Sequence, residues 1–333
     1  MKVEKLSSGN YRVRVIIGHT PDGTPIRKSF THHDKTRLYS IVYAYADAHR
    51  NIINMTLGDA IDAFIAVKTA VLSPSTIRAY TSMAVALKTD SDRLCGLYLA
   101  DINRMDVQQL VNRLVLTGHS PKTVRNYYGF LSGVFKFHGE SLPEVSLPQK
   151  TRPAIYIPDE QQIKALALTA KGTRMEVPLT LAAFGLRRSE ICALTVKDLN
   201  GSVLHICRAT VYGYDNRMHT KAPKTYTSDR FVRIPDATAD LIREQDYVTK
   251  YTPAGLSNAF YRLCEKAGVP HYRLHDLRHF FVSYCHNVLN MPDAQIQAIT
   301  GHKTSVIMRE NYLHVMHADS AGKYVSDSLS SML

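Results

Sequence analysis

The chain has 333 residues, of which 45% are hydrophobic, and a formal net charge of +12 with a pI near 9.4. The length predicts two or three domains, and the composition excludes general disorder. So basic a chain attracts polyanions, most commonly nucleic acid, although charge alone is equally consistent with a basic enzyme of another kind. The five cysteines form no Cys-x-x-Cys pair, which argues against a zinc site and a disulfide framework. With no signal-peptide core and no apolar run near the roughly 18 residues that span a bilayer, we expect a cytoplasmic protein without a membrane partner.

The first segment, 1–53, has the pattern of a small sheet packed on one helix. Apolar and basic residues alternate over 11–15 and again over 26–30, which predicts two strands. Asp34 follows and is placed to cap a helix. Because small sheets can enter a major groove, this sheet is a candidate DNA-reading face. Four basic residues are predicted to line the sheet face opposite the helix: Arg12, Arg14, Arg27 and Lys28. A solvated strand face explains the same residues equally well.

The second segment, 54–141, is predicted to be an all-helical unit of four or five helices. A phrase recurs in it, because Ser73-Pro74 and Ser120-Pro121 are both followed by an Arg and a Tyr one turn later. Serine before proline is typical of a helix start. Helix N-termini flanked by basic residues suit phosphate contact, which makes three residues candidates for DNA binding: Arg78, Lys122 and Arg125. Capping chemistry alone explains the Ser-Pro pairs, and chance can explain the matching Arg and Tyr.

A proline-rich linker, 142–158, separates this domain from the last one, 159–333. It holds no long helix or central strand because four prolines punctuate it: Pro143, Pro148, Pro153 and Pro158. The last segment is predicted to be mainly helical, with strands at 203–206 and 230–234 around a polar, basic loop.

The last segment also carries residues suited to phosphate chemistry. Cutting a DNA strand without a metal ion requires groups that neutralise the phosphate, activate a nucleophile and protonate the leaving oxygen. Arginine binds phosphate oxygens bidentately and stays charged. Arg187 follows Gly185-Leu186 and has Glu190 on the same helical face, although a surface ion pair alone explains this phrase. His275 and Arg278, three residues apart, share a helical face; helix capping is the alternative.

Two further residues gain meaning only from their order in the chain. Gly301-His302 lies 24 residues beyond Arg278, and Tyr312 lies ten beyond His302. Alone, Gly301-His302 is typical of a helix C-cap, and Tyr312 is typical of a core or surface tyrosine. Together, Arg187, His275-x-x-Arg278, Gly301-His302 and Tyr312-Leu313-His314-Val315 resemble the motifs of the tyrosine recombinases, especially the phage and conjugative-transposon integrases.

The resemblance extends over the whole chain and implies a multidomain fold. The implied fold has a small β-sheet-plus-helix N-terminal module, 1–53, which is the arm-type DNA-binding module of the family. An all-α SAM-like core-binding domain follows at 54–141. The last part, 159–333, is a mainly α catalytic domain with a small antiparallel β-sheet and a C-terminal tail helix. The family has an active-site lysine on a β-hairpin, and Ala222-Pro223-Lys224-Thr225 is similar to that hairpin. We therefore assign Lys224, with Lys221 as the rival.

The resemblance also implies a mechanism. Tyr312 attacks a phosphodiester and leaves a 3′-phosphotyrosyl link, without ATP, metal or another cofactor. The resemblance gives the other residues these roles: Arg187 and Arg278 clamp the phosphate, Lys224 is the general acid, His275 assists proton removal, His302 hydrogen-bonds the phosphate, and Glu190 supports Arg187 and His275. The His302–Tyr312 spacing is one residue longer than the family's commonest spacing, which leaves the path of that segment open.

The expected function is integration or excision of a mobile element. The expected partners are double-stranded DNA with attachment-type sites and three further copies of the chain in a homotetramer. An accessory excision factor or a host DNA-bending protein is a further expected partner. The tail, 320–333, is predicted to dock on a neighbouring subunit, with packing on its own subunit as the alternative. Two other functions remain open: strand nicking and closing like a type IB topoisomerase, and DNA binding by an inactive recombinase descendant.

Overall fold

A computed structural model describes residues 3–19, 25–49, 55–90, 92–151, 156–222 and 228–302. Over these residues the protein is mostly helical, with small antiparallel sheets. The chain divides into two compact units, Met1–Pro153 and Ala154–Leu333. The division falls inside the proline-rich stretch, where 140–151 contain neither helix nor strand. None of the helices in the described ranges is long and apolar enough to cross a membrane.

The first unit begins with a three-stranded antiparallel sheet packed on one helix. Its elements are β1 Val3–Lys5, β2 Tyr11–His19, β3 Pro25–His32 and α1 Lys35–His49. Val13, Leu38 and Val42 are fully buried between sheet and helix. Asp34 caps α1 as predicted, because its Oδ1 accepts two backbone N–H groups of the first turn at 2.7 and 3.0 Å. Strand β1 was not predicted, since three residues are too few to show alternation.

Five helices complete the first unit around a separate apolar core. They are α2 Leu57–Thr69, α3 Pro74–Asp90, α4 Asp92–Gly96, α5 Arg104–Leu116 and α6 Pro121–Phe137. The recurring Ser-Pro phrases begin α3 and α6 as predicted, and Ser120 Oγ accepts the N–H of Thr123 at 3.2 Å. The tyrosines of the two phrases serve the core: Tyr80 packs on Phe130 at 4.9 Å between ring centres, and Tyr127 is buried.

The stretch after α6 packs on the first unit. The Gln108 side chain pairs with the backbone of Ser146 through two hydrogen bonds of 2.9 and 3.2 Å. The Tyr128 hydroxyl donates to the Pro143 carbonyl at 3.3 Å. The first half of the predicted linker is therefore held by α5 and α6 rather than being an unattached connector.

The second unit surrounds helix α12 with further helices and two small sheets. Its elements are α7 Glu160–Ala170, α8 Glu176–Ala183, α9 Arg188–Ile191, β4 Leu199–Asn200, β5 Val203–Ile206, β6 Ala209–Tyr212, β7 Met218–Lys221, β8 Arg230–Arg233, α10 Asp236–Gln245, α11 Pro253–Ala267, α12 Leu274–Asn287 and α13 Asp293–Thr300. Strands β4, β5 and β8 form one antiparallel sheet, and β6 pairs with β7. The loop predicted between β5 and β8 thus contains a hairpin, whose strands of four residues each are too short to show a clear period. Leu181 of α8 and Leu277 of α12 are fully buried in the core.

Candidate active site

The site is built just beyond the end of α8, at Gly185. This glycine has a φ of +84°, which side-chain-bearing residues rarely adopt. A Cβ added there would lie 2.9 Å from Phe281 Cδ1 and 3.2 Å from Thr300 Cγ2. The backbone therefore approaches α12 and α13 closely, and the chain turns so that Arg187 becomes the N-cap of α9. The small residue before Arg187 is explained by these contacts and by the turn.

Glu190 is buried, with 5% of its surface exposed, and holds Arg187 in place. Its Oε1 accepts Arg187 Nη1 at 2.6 Å, and its Oε2 accepts the Arg187 backbone N–H at 2.9 Å. Arg187 Nη2 also donates to the Gly301 carbonyl at 3.1 Å. The predicted Arg187–Glu190 pair is thus present, and it is anchored to the end of α13 rather than lying on the surface.

A second buried arginine, Arg230 of β8, shares the same carboxylate. Its Nη1 and Nη2 donate to Glu190 at 3.2 and 2.9 Å, and its Nε donates to the Ile299 carbonyl at 2.6 Å. Burial opposes ionisation of Glu190, but the hydrogen bonds and charge of Arg230, with the charge of Arg187, lower its pKa below the usual value. The sequence prediction missed Arg230 as a site residue, because an arginine at the start of a short strand has no distinguishing pattern.

Arg278 of α12 is completely buried beside His302. Its Nη1 donates to the Gly185 carbonyl at 2.5 Å, and its Nη2 lies 3.0 and 3.3 Å from the two ring nitrogens of His302. The structure thus brings together Arg187, Arg278 and His302, which lie as far as 115 positions apart in the chain.

His275 begins α12 next to this cluster and keeps an exposed edge. Its ring meets that of His279 edge to face at 4.9 Å. Partial burial, His279 and the charges of Arg278 and Arg187 lower the pKa of His275 to about 4. Burial and the charges of Arg278 and Arg187 lower the pKa of His302 to about 3. Both imidazoles are therefore neutral at pH 7.

An open cleft of about 640 Å³ adjoins the cluster. Arg187 and His275 line it together with Arg188 and Arg273. Arg188 Nη1 donates to Ser257 Oγ at 2.7 Å, and Arg273 is ion-paired with the buried carboxylate of Asp276 at 2.7 Å. Fixed guanidinium groups on the wall of a cleft favour an anionic ligand.

Two predicted catalytic residues, Tyr312 and Lys224, lie outside the described residues, as does the tail 320–333. Their assignments stay predictions. The rival lysine, Lys221, is half-buried at the end of β7, where it pairs with Ala209.

Three of the four basic residues predicted to share one face of the N-terminal sheet do so. Arg12, Arg14 and Ile16 alternate with the inward-facing residues of β2, and Arg27 stands opposite Ile16 on β3. Arg14 and Arg27 are exposed, whereas Arg12 forms a 2.7 Å ion pair with Glu4.

The prediction that Lys28 lies on the sheet face opposite the helix is wrong. Lys28 stands opposite the inward-facing Val15, and its Nζ lies 4.3 Å from the ring centre of Tyr45 in α1. Successive residues of a strand point to opposite faces, so Arg27 and Lys28 cannot share one.

The three basic residues predicted to bind DNA in the helical domain differ in their exposure and in their contacts. Arg78 and Lys122 are exposed near the starts of α3 and α6. Arg125 donates from Nε and Nη2 to the Pro148 carbonyl at 3.2 and 2.8 Å. Its guanidinium therefore holds the stretch after α6, and we do not propose that it contacts a phosphate.

Buried arginines, neutral histidines and a basic cleft suit an anionic ligand. Comparisons with known proteins show which family the site resembles. Residues 159–318 match the model of the phage integrase family. Through this segment the chain is similar to the phage integrases.

Similar proteins cover most of the chain. The chain is 24% identical over 364 residues to a "Tyrosine recombinase XerC-like" of Caldanaerobacter subterraneus subsp. tengcongensis, covering 92% of each protein. It resembles the integrase of transposon Tn1549 in complex with transposon right-end DNA, with a TM-score of 0.66 at 18% identity, over 81% of this chain and 98% of that one. It also resembles a lambda integrase tetramer bound to a Holliday junction, with a TM-score of 0.58 at 16% identity, over 91% and 95%. At these identities the solved structures show a shared fold.

Proposed function

We propose that this chain is a site-specific DNA recombinase that cuts and rejoins strands through a 3′-phosphotyrosyl link at Tyr312. The observation that carries the proposal is the joining of Arg187, Arg278 and His302 around Glu190 and Arg230. Folding brings these residues together from segments up to 115 positions apart, and they are the residues that resemble the family's motifs. A basic surface protein without this chemistry has no need of two arginines, Arg230 and Arg278, in its interior, since burying charge is costly.

The charge of the cluster suits a reacting phosphodiester. Arg187, Arg230 and Arg278 carry three positive charges, Glu190 removes one, and both histidines are neutral. The two positive charges that remain in the resting site favour binding of a phosphodiester, whose charge passes from one negative towards two as it is attacked. Asp276 adds nothing to this balance, because Arg273 neutralises it.

The two clamping arginines have different tasks. Arg187 reaches the cleft with about a third of its side chain exposed, so it makes the first contact with the phosphate. Arg278 is fixed by the Gly185 carbonyl in a desolvated position, where its charge acts through a low dielectric. Arg230 is fully engaged by Glu190 and two backbone carbonyls, and it therefore positions Glu190 rather than binding DNA.

The proposed reaction needs a base for the attacking phenol and an acid for the leaving oxygen. His275 is neutral at pH 7 and has an exposed edge on the cleft, so it can accept the proton of the attacking phenol. An unperturbed tyrosine has a pKa near 10, and the positive cluster favours its deprotonated form. Lys224 is the proposed general acid for the 5′-oxygen, with Lys221 as the alternative.

The remaining parts of the chain bind and arrange DNA in this proposal. Residues 1–53 form the arm-binding module, 54–141 the core-binding domain, 142–158 the connection and 159–333 the catalytic domain. Exposed Arg14, Arg27, Arg78 and Lys122 contact phosphates. Four copies of the chain act together on two duplexes with attachment-type sites, as the lambda integrase tetramer does on its junction.

Trapping on nicked DNA tests the proposal. Wild type is incubated with nicked duplexes from the ends of the element that carries the gene, and denaturant-resistant adducts are counted. Arg187→Lys should lose on the order of 100- to 1,000-fold in rate while retaining DNA binding. Arg243→Lys, at an exposed ion pair of the same unit, is the matched control and should cleave normally.

The other outcomes identify the alternatives. Tight, salt-sensitive binding without any adduct would show an inactive DNA-binding descendant. Adducts that reseal without exchanging partners between two duplexes would show a topoisomerase-like enzyme.

A further inference from the structure

His302 lies just beyond the end of α13, against the hydroxyl of Thr300. Thr300 is fully buried, and His302 has 6% of its surface exposed. Thr300 Oγ1 lies 2.6 Å from the Ile296 carbonyl oxygen and 2.7 Å from His302 Nδ1. Both distances are those of good hydrogen bonds.

One hydroxyl cannot donate to both partners. It carries a single hydrogen, and the Ile296 carbonyl can only accept, so the hydroxyl hydrogen goes to Ile296. The bond to His302 must then run the other way, with Nδ1–H donating to Thr300 Oγ1. A neutral imidazole has one N–H, and Nε2 is therefore left with a lone pair.

The surroundings keep this imidazole neutral. Arg278 Nη2 is almost equidistant from the two ring nitrogens, so it lies over the ring and not along one lone pair. The other groups whose charges act on His302 are Arg187, Arg230 and His275, and each lowers its pKa. Glu190 offsets part of that charge through its bonds to both Arg187 and Arg230.

We propose that Thr300 is a positioning residue that holds His302 in the Nδ1–H tautomer, so that Nε2 is a hydrogen-bond acceptor in the resting enzyme. His302 must then take up one proton from solvent at Nε2 before it can donate a hydrogen bond from that nitrogen to a phosphate oxygen. The negative charge of the arriving phosphate drives this uptake, because it raises the pKa of the imidazole. The tautomer assignment is independent of the proposed function, whereas the proton uptake rests on it.

Nitrogen NMR of ¹⁵N-histidine-labelled full-length protein at pH 7 tests the tautomer without DNA. The His302 signals are assigned by their loss in His302→Asn. Wild type and Thr300→Ser should show a protonated Nδ1 and an unprotonated Nε2. Thr300→Val keeps the shape but removes the hydroxyl, so it should shift His302 towards the Nε2–H form. An Nε2–H form in wild type, or an unchanged tautomer in Thr300→Val, would overturn the proposal.

Thr180→Val is the matched control. Its hydroxyl makes the same bond to the carbonyl four residues earlier, at 3.0 Å from Glu176, in the same unit. It should leave the His302 signals unchanged, and a change there would show that the effect of Thr300→Val is a general loss of packing.

The number of protons taken up when DNA binds is measured by titration calorimetry. Nicked duplex is titrated in buffers of different ionisation enthalpy. Thr300→Val should take up about one proton fewer than wild type, because its Nε2–H donates without uptake. Equal uptake in the two proteins would refute the coupling. If neither protein bound DNA, the proposed function would fail while the NMR result stood.

Discussion

Replacing Glu190 by alanine should destabilise the second unit far more than an ordinary ion-pair deletion. Glu190 accepts four hydrogen bonds from Arg187 and Arg230, and Arg230 has only 4% of its side chain exposed. Alanine would leave Arg230 with a buried charge and no carboxylate. Breaking a buried pair in this way costs about 3–5 kcal/mol, a large part of a typical stability of about 5–15 kcal/mol.

The chain offers a control that differs mainly in burial. Arg243 and Asp240 form an ion pair with the same i,i+3 spacing and the same 2.6 Å distance as Arg187 and Glu190, but both side chains are exposed. Asp240→Ala should therefore cost no more than about 1 kcal/mol.

Urea unfolding followed by circular dichroism, with hydrogen exchange of peptides from α9 and β8, measures both variants. Glu190→Ala should lower the midpoint strongly and deprotect both peptides. Equal effects from Glu190→Ala and Asp240→Ala would refute the reasoning that burial of this carboxylate holds the site together.

Three further predictions concern the site and the DNA-binding face. Gly185→Ala should destabilise the protein and reduce cleavage, since its positive φ and the 2.9 Å approach to Phe281 both oppose a Cβ; normal cleavage would contradict this. His275 and His302 have folded pKa values of about 4 and 3, below the 6.5 of the unfolded chain, so stability should fall as pH drops from about 6.5 towards 4. His302→Asn should flatten that decline in the urea midpoint. Arg27→Ala should lower the salt slope of arm-site binding by about 0.9 per lost phosphate contact, whereas Lys28→Ala should leave it unchanged.

Capping and periodicity predicted much of the fold. The starts of α1, α3 and α6 follow from local chemistry, which a sequence displays directly. Strand β1 and the positions of strands β6 and β7 were not predicted, because three or four residues are too few to show a clear period. Tertiary packing fixes such short elements, and that packing is invisible in a local window.

The site was predictable where motif spacing carries information. Arg187, Glu190, Arg278 and His302 meet in the structure, but their order alone did not reveal Arg230. Its role depends on a contact with Glu190 across 40 positions, which no local pattern encodes. The same limit applies to Thr300, whose importance arises only from the position of the His302 ring.

Covalent trapping with tyrosine variants tests the central claim most directly. The control variant is Tyr324→Phe, at the only tyrosine that follows Tyr312 in the sequence. Wild type, Tyr312→Phe and Tyr324→Phe are incubated with labelled, nicked attachment-type DNA, and adducts are mapped after denaturation and proteolysis. The account predicts an adduct on the 3′ side of the cut with wild type and Tyr324→Phe, and none with Tyr312→Phe. An adduct formed by Tyr312→Phe would contradict the assignment of the nucleophile.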